Sequence, residues 1–209
     1  TLEAESPFNY EEQGTFIVPE MINCPSANPQ GHTDELSEEI PKQLKNLKHG
    51  ALVLFTSKKQ MKQVHEGLPN DFLQDVLMQG DMPRNKLISQ HESRIKNDQR
   101  SILFGMQSFG EGLDLPGKLC ETVLITKLPF APPDSPIEEA KSEWLEKNQG
   151  NPFYEISVPA VALKLQQWVG RGIRTETDHA TIIVLDKRLK TKPYGKKILA
   201  GLPPFKRLM

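Results

Sequence analysis

Along the 209-residue chain, short apolar runs alternate with longer amphipathic stretches. Ala51-Leu52-Val53-Leu54-Phe55 is apolar at every position, the pattern of a parallel strand covered on both faces. Ser101–Phe104, Val123–Thr126 and Thr181–Leu185 repeat it, and Asp75–Gln79 and Thr15–Val18 are further strand candidates, the latter stopped by Pro19. Between these runs the apolar period lengthens to that of a helix. Thr33 caps one carrying Leu36, Ile40, Leu44 and Leu47 on a face, with Pro41 expected to kink or restart it. Gln60–Glu66, Arg84–Lys96 and Lys196–Leu202 are helical candidates, as is Ser135–Lys147 with Ile137, Ala140, Trp144 and Leu145 inward. Strands alternating with helices predict one α/β domain around a mostly parallel sheet. Residues 1–32 read as a partly irregular lead-in and 33–209 as the main body, with no internal boundary.

The stretch from Ala160 to Arg174 carries the most chemistry. Val161, Leu165 and Trp168 recur at helical spacing and should face a core. Gln167, Arg171 and Arg174 recur at the same spacing on a second stripe, which would stack an amide and two guanidiniums along one face. Gly170 and Gly172 flank the first arginine. Each costs a helix about 1 kcal/mol relative to alanine, so the pair implies close approach to the backbone. A triphosphate suits that description, because guanidinium forks match its oxygens.

Composition narrows the classes. With 37% hydrophobic and 25% charged residues the chain is ordinary for a globular protein, and a net charge of −1 excludes a whole-molecule basic field. Any nucleic-acid surface must therefore be local. Cys24 and Cys120 form neither a metal pattern nor a disulfide framework, and a reducing cytoplasm is the simplest setting. No apolar run reaches the roughly 20 residues of a membrane span. The chain opens on Thr1 and is expected to be a fragment of a larger one.

Four features then occur in order: Leu54-Phe-Thr-Ser57 closing a strand, Glu111-Gly-Leu-Asp114 in a glycine-rich loop, Leu128-Pro-Phe130 closing another strand, and Gln167-x-x-Gly-Arg-x-x-Arg174. This series resembles the second motor domain of superfamily 2 helicases. Phe109-Gly-Glu-Gly-Leu-Asp-Leu-Pro-Gly117, Lys127-Leu-Pro-Phe-Ala-Pro-Pro133, Gly150-Asn-Pro-Phe153, Asp186-Lys-Arg-Leu189 and Lys192-Pro-Tyr-Gly195 are similar to the XPD-like branch, and within it to bacterial DinG helicases.

The resemblance implies a RecA-like, three-layer α/β domain that lacks its own phosphate loop. It implies that Thr56, Ser57 and Lys58, with Gln107 and Ser108, meet single-stranded DNA. It places Glu111, Gly112, Asp114 and Gly170 toward the nucleotide, and Arg171, Arg174 and Gln167 on the γ-phosphate and its attacking water. ATP and Mg2+ would be held jointly with a first motor domain absent from this chain. The family's 4Fe-4S cluster would also lie in that absent part, since two cysteines cannot supply its ligands. The activity implied is ATP-driven 5′-to-3′ DNA unwinding in repair or replication, with the isolated chain inactive.

Two rival readings stand beside it. A non-catalytic nucleic-acid or protein-docking module on the same fold would tolerate loss of either arginine. A small-molecule enzyme would use Glu111 and Asp114 as an acid–base pair.

Overall fold

The computed structural model describes residues 8–106, 109, 112–130 and 136–209. Among the described residues seven strands form one sheet, all neighbours parallel, in the order β3-β4-β2-β5-β6-β1-β7. They are β1 (Gly14–Ile17), β2 (Gly50–Phe55), β3 (Val76–Met78), β4 (Ser101–Met106), β5 (Thr122–Ile125), β6 (Ala180–Val184) and β7 (Lys206–Leu208). The helices are α1 (Tyr10–Gln13), α2 (Pro29–Gln43), α3 (Lys58–Gly67), α4 (Asn70–Leu73), α5 (Arg84–Lys96), α6 (Pro136–Lys147), α7 (Val158–Val169), α8 (Arg188–Thr191) and α9 (Pro193–Ala200).

The continuous apolar runs are explained by two cores, one per sheet face. In β2, Leu52 and Leu54 pack toward α5, α7 and α9, while Ala51, Val53 and Phe55 pack toward α2, α3 and α4. β5 divides in the same way, with Val123 and Ile125 on the first face and Leu124 on the second. Both faces are covered, so no position in these strands has water to face.

Some elements depart from the sequence pattern. α2 starts at Pro29, not Thr33. Asn28 caps it by accepting from Gly31 N at 3.0 Å, and the Thr33 hydroxyl donates back to Pro29 O at 2.9 Å inside the helix. Pro41 does not restart the helix, which runs two residues past it to Gln43. α6 has the expected limits within a residue, but its stripe turns outward: Ile137 is 69% exposed and Trp144 63%. Periodicity identifies an apolar stripe, not the presence of a layer to receive it, and no described residue of α6 joins either core. β7 was silent in the pattern because Lys206-Arg207-Leu208 is polar and exposed, as befits a strand at a sheet edge.

Candidate functional site

Because all strands run one way, the sheet has a carboxyl edge and an amino edge, and the candidate residues divide between them. At the carboxyl edge the chain leaves β2 through Thr56, Ser57 and Lys58. β2 lies between β4 and β5, with α3 leaving on one face and α7 covering the other, so the crevice beyond β2 and β5 is the topological switch point of the sheet. Ser57 is the N-cap of α3, its hydroxyl accepting from Gln60 N at 3.4 Å. Lys58 is exposed in the first turn. Across the crevice, Thr126 donates through N and Oγ1 to Leu54 O, at 3.1 and 3.0 Å, fixing the exit of β5 to β2.

The next residue, Lys127, is half-buried. Desolvation, followed by the neighbouring Arg188 charge, pulls its ammonium below the usual lysine range. Asp186, fully buried beyond β6, joins the two loops. It accepts from Leu128 N at 2.8 Å and from Arg188 N, Nε and Nη2, the last at 2.6 Å. Motif reading included Asp186, Arg188 and Lys127 without a role for any of them.

The amino edge holds the arginines. α7 buries Val161, Leu165 and Trp168 as their spacing predicts. It ends at Val169, however, and Gly170 closes it. Arg171 N and Gly172 N bond Trp168 O and Val169 O in a tight turn, at 3.1 and 3.3 Å. Gln167 is therefore exposed on the last helical turn, while Arg171 and Arg174 lie beyond it, not on a continuous helical stripe. The backbone approach implied by the glycines is real at Gly172, but the close neighbour is protein. A Cβ there would lie 2.6 Å from Ala180 Cβ at the start of β6, whereas one at Gly170 meets its nearest atom, Gln166 O, at 3.5 Å.

Arg174 bridges to the glycine-rich loop. Its Nη2 donates to Leu113 O at 2.6 Å, Nη1 stands 3.5 Å from Asp114 Oδ1, and the buried Nε has no hydrogen-bond partner among the described residues. The side chain is 27% exposed, so the guanidinium is not sealed from solvent. Asp178 holds this corner. Its Oδ1 accepts from Gly117 N at 3.0 Å, and its Oδ2 accepts from Arg174 N at 2.7 Å and Thr175 N at 2.8 Å. Burial opposes its charge, but these donors outweigh burial and lower its pKa. Gln13 adds a second clasp, donating to Thr175 O and Asp178 O at 2.9 and 3.0 Å. Gly112 and Gly117, at φ +72° and +55°, take left-handed turns that other residues adopt only with strain.

Asp114 is exposed and joins the arginine corner, and Gly112 is exposed nearby. Gln107, Ser108 and Glu111 lie outside the described residues. Among the described residues no group of His, Cys, Asp and Glu could hold a metal ion, and no helix is long and apolar enough to cross a membrane.

A family model for the helicase C-terminal domain matches residues 40–205. The chain belongs to that family. The DinG-like character read from the motifs also holds in the comparisons, and the XPD likeness holds for the fold. The chain is 42% identical over 209 residues to the ATP-dependent DNA helicase DinG of Photobacterium profundum, covering 98% of this chain and 30% of that protein. To the DinG of Escherichia coli K12 it is 42% identical over 203 residues, covering 96% and 28%. It thus spans less than a third of these relatives.

The fold matches an XPD helicase at a TM-score of 0.70 and 19% identity, covering 93% of this chain and 36% of that one. It matches the second domain of the DEAD-box helicase Mss116p, bound to an RNA duplex, at 0.52 and 17%, covering 94% and 64%. The helicase C-terminal domain therefore has here the RecA-like sheet expected of it.

Proposed function

We propose that this domain is the C-terminal half of an ATP-dependent DNA helicase, closing an interdomain ATP cleft with its amino-edge arginines and guiding a single strand along the carboxyl edge. The observation that carries the reading is Arg174. Its guanidinium is held by Leu113 O and Asp114, its backbone is held by Asp178, and the side chain is still 27% exposed. Such a donor is already oriented before any phosphate arrives, the arrangement that stabilises charge developing in a transition state without reorganisation.

In the proposed mechanism a first motor domain, which this chain does not contain, holds the triphosphate and its metal. Arg174, with Arg171 beside it, faces the γ-phosphate, and Gln167 orients the attacking water. An arginine in that role contributes about 10³–10⁵ in rate. Loss of the γ-phosphate removes the ligand shared by the two halves, and the cleft opens. Thr56, Ser57 and Lys58, with Gln107 and Ser108, hold the phosphate backbone of one strand during each cycle. Such contacts position a strand without reading its sequence. The 5′-to-3′ polarity and a role in repair or replication belong to the same reading and follow the family resemblance.

The test is DNA-stimulated ATP hydrolysis by the full-length protein carrying Arg174→Ala, with ATP binding followed in parallel. Turnover is expected to fall by about a thousandfold or more while ATP still binds. Unchanged turnover would leave Arg174 as a structural brace and favour the docking-module reading.

A further inference from the structure

A second surface on the carboxyl edge has a chemistry of its own. Beyond β5, Phe130 stacks against Phe153 with centroids 5.6 Å apart and planes 13° from parallel. Phe153 meets Tyr154 edge-on at 5.4 Å, and both it and Phe130 rest on the buried Tyr194 of α9, at 5.2 and 5.5 Å. Phe153 and Tyr154 lie on a π-helical turn just before α7 and remain 39% and 37% exposed.

Two cations attend these rings: Arg188 Cζ lies 5.3 Å from the Phe130 centroid and Lys197 Nζ 5.2 Å from that of Tyr154. Asp186 pairs with Arg188, and Glu155, beside Tyr154, accepts from Asn151 N at 2.7 Å, but the sequence that follows is one-sided. From Lys187 to Met209 there are eight Lys and Arg and no acidic residue, in a chain whose net charge is −1. Lys190, Lys192, Lys196 and Lys197 are all exposed.

We propose that Phe153 and Tyr154 form a stacking platform for bases of single-stranded DNA, with the lysines of α8 and α9 holding its phosphates. The surface combines exposed aromatic rings, each supported by another ring, with a local excess of cations, and a single strand offers π-faces joined by anions. An apolar peptide would use the rings but not the lysines. A duplex would use the lysines but keeps its base faces stacked internally. The Asp186 clamp ties this surface to the same edge as Thr56, Ser57 and Lys58, so one strand can run over both. The platform rests on the motor reading above for its ligand.

The experiment measures binding of an oligothymidine and an abasic oligomer of equal length to the full-length protein without nucleotide, for wild type, Tyr154→Ala and Phe153→Leu. The affinity ratio between the two oligomers is internal to each preparation, so partial misfolding cancels. It is expected to shrink by roughly five- to a hundredfold per lost stacking partner. Lys197→Glu is expected to weaken both oligomers alike. An unchanged ratio in both ring variants, or equal weakening of the two oligomers by them, overturns the platform, and a Lys197→Glu variant that binds both as wild type does removes its phosphate half. The outcome is separable from the Arg174 assay. A lost ratio beside undiminished turnover in Arg174→Ala removes the motor reading alone, and the converse removes the platform alone.

Discussion

Asp178 shows how a single carboxylate can organise a site that its neighbours advertise. The arginines of the Gln-x-x-Gly-Arg-x-x-Arg series are visible in sequence because their spacing is distinctive. Asp178 sits in a polar Thr-Glu-Thr-Asp turn and gives no comparable signal. In three dimensions it gathers Gly117 N, Arg174 N and Thr175 N, and so joins the loop before β5 to the loop before β6. Asp178→Asn keeps the shape but sets an amide donor against backbone donors. With Asp178 almost fully buried, the expected cost is about 1–3 kcal/mol of stability.

The pH dependence of that cost has a definite sign. The folded pKa of Asp178 lies below the usual carboxylate value of about 3.9. Its contribution is therefore complete above about pH 3.9 and disappears as pH falls through the lower, folded pKa. Thermal unfolding of wild type and Asp178→Asn should differ at neutral pH and converge in acid. A gap that stays constant to the lowest accessible pH would show that the carboxylate charge does not hold this corner.

At the scale of elements, α7 was legible through its buried stripe, but its end was not. Gln167, Arg171 and Arg174 fit helical spacing because three- and four-residue steps also arise by chance in a turn. The helix stops because Gly170 and Gly172 carry low helix propensity and because Gly172 must lie against Ala180. The two glycines therefore predict opposite outcomes. Gly172→Ala drives a methyl to 2.6 Å from Ala180 Cβ, which has no rotamer to yield, and should cost about 1–3 kcal/mol.

Gly170→Ala meets nothing nearer than 3.5 Å at φ −64°, so it should be neutral or gain up to about 1 kcal/mol. Melting temperatures of the two variants check the pair, and equal destabilisation would contradict this account of the turn. The same variants bear on function. If a phosphate passes Gly170, then Gly170→Ala should lower ATP turnover in the full-length protein while leaving the fold intact. The exposed stripe of α6 and the polar β7 mark the complementary limit of legibility, because whether a stripe finds a partner, or an edge finds a strand, depends on elements distant in sequence.

For the whole molecule, the decisive feature is that the two candidate surfaces lie at opposite edges of one sheet, joined in sequence by the segment between β4 and β5. The Glu-Gly-Leu-Asp motif belongs to that segment, and motif order by itself gives neither the separation of the two edges nor their shape. The amino edge brings arginines but no phosphate loop, so the isolated chain should show no steady-state ATP hydrolysis. The carboxyl edge needs only local hydroxyls, lysines and rings, so the same preparation should still bind single-stranded DNA. Since net charge is −1, that binding has no whole-molecule field behind it and should be weak and steeply salt-dependent. The logarithm of affinity is expected to fall linearly with the logarithm of salt, with a slope of about −0.7 per phosphate neutralised. Turnover by the isolated chain would place a complete ATP site within these residues and refute the division of labour between domains. Affinity indifferent to salt would instead remove the lysines from the strand path. If the chain binds DNA with that slope and leaves ATP intact, strand binding is carried by this chain alone, and on the proposed reading ATP turnover and its coupling to the strand fall to a first motor domain.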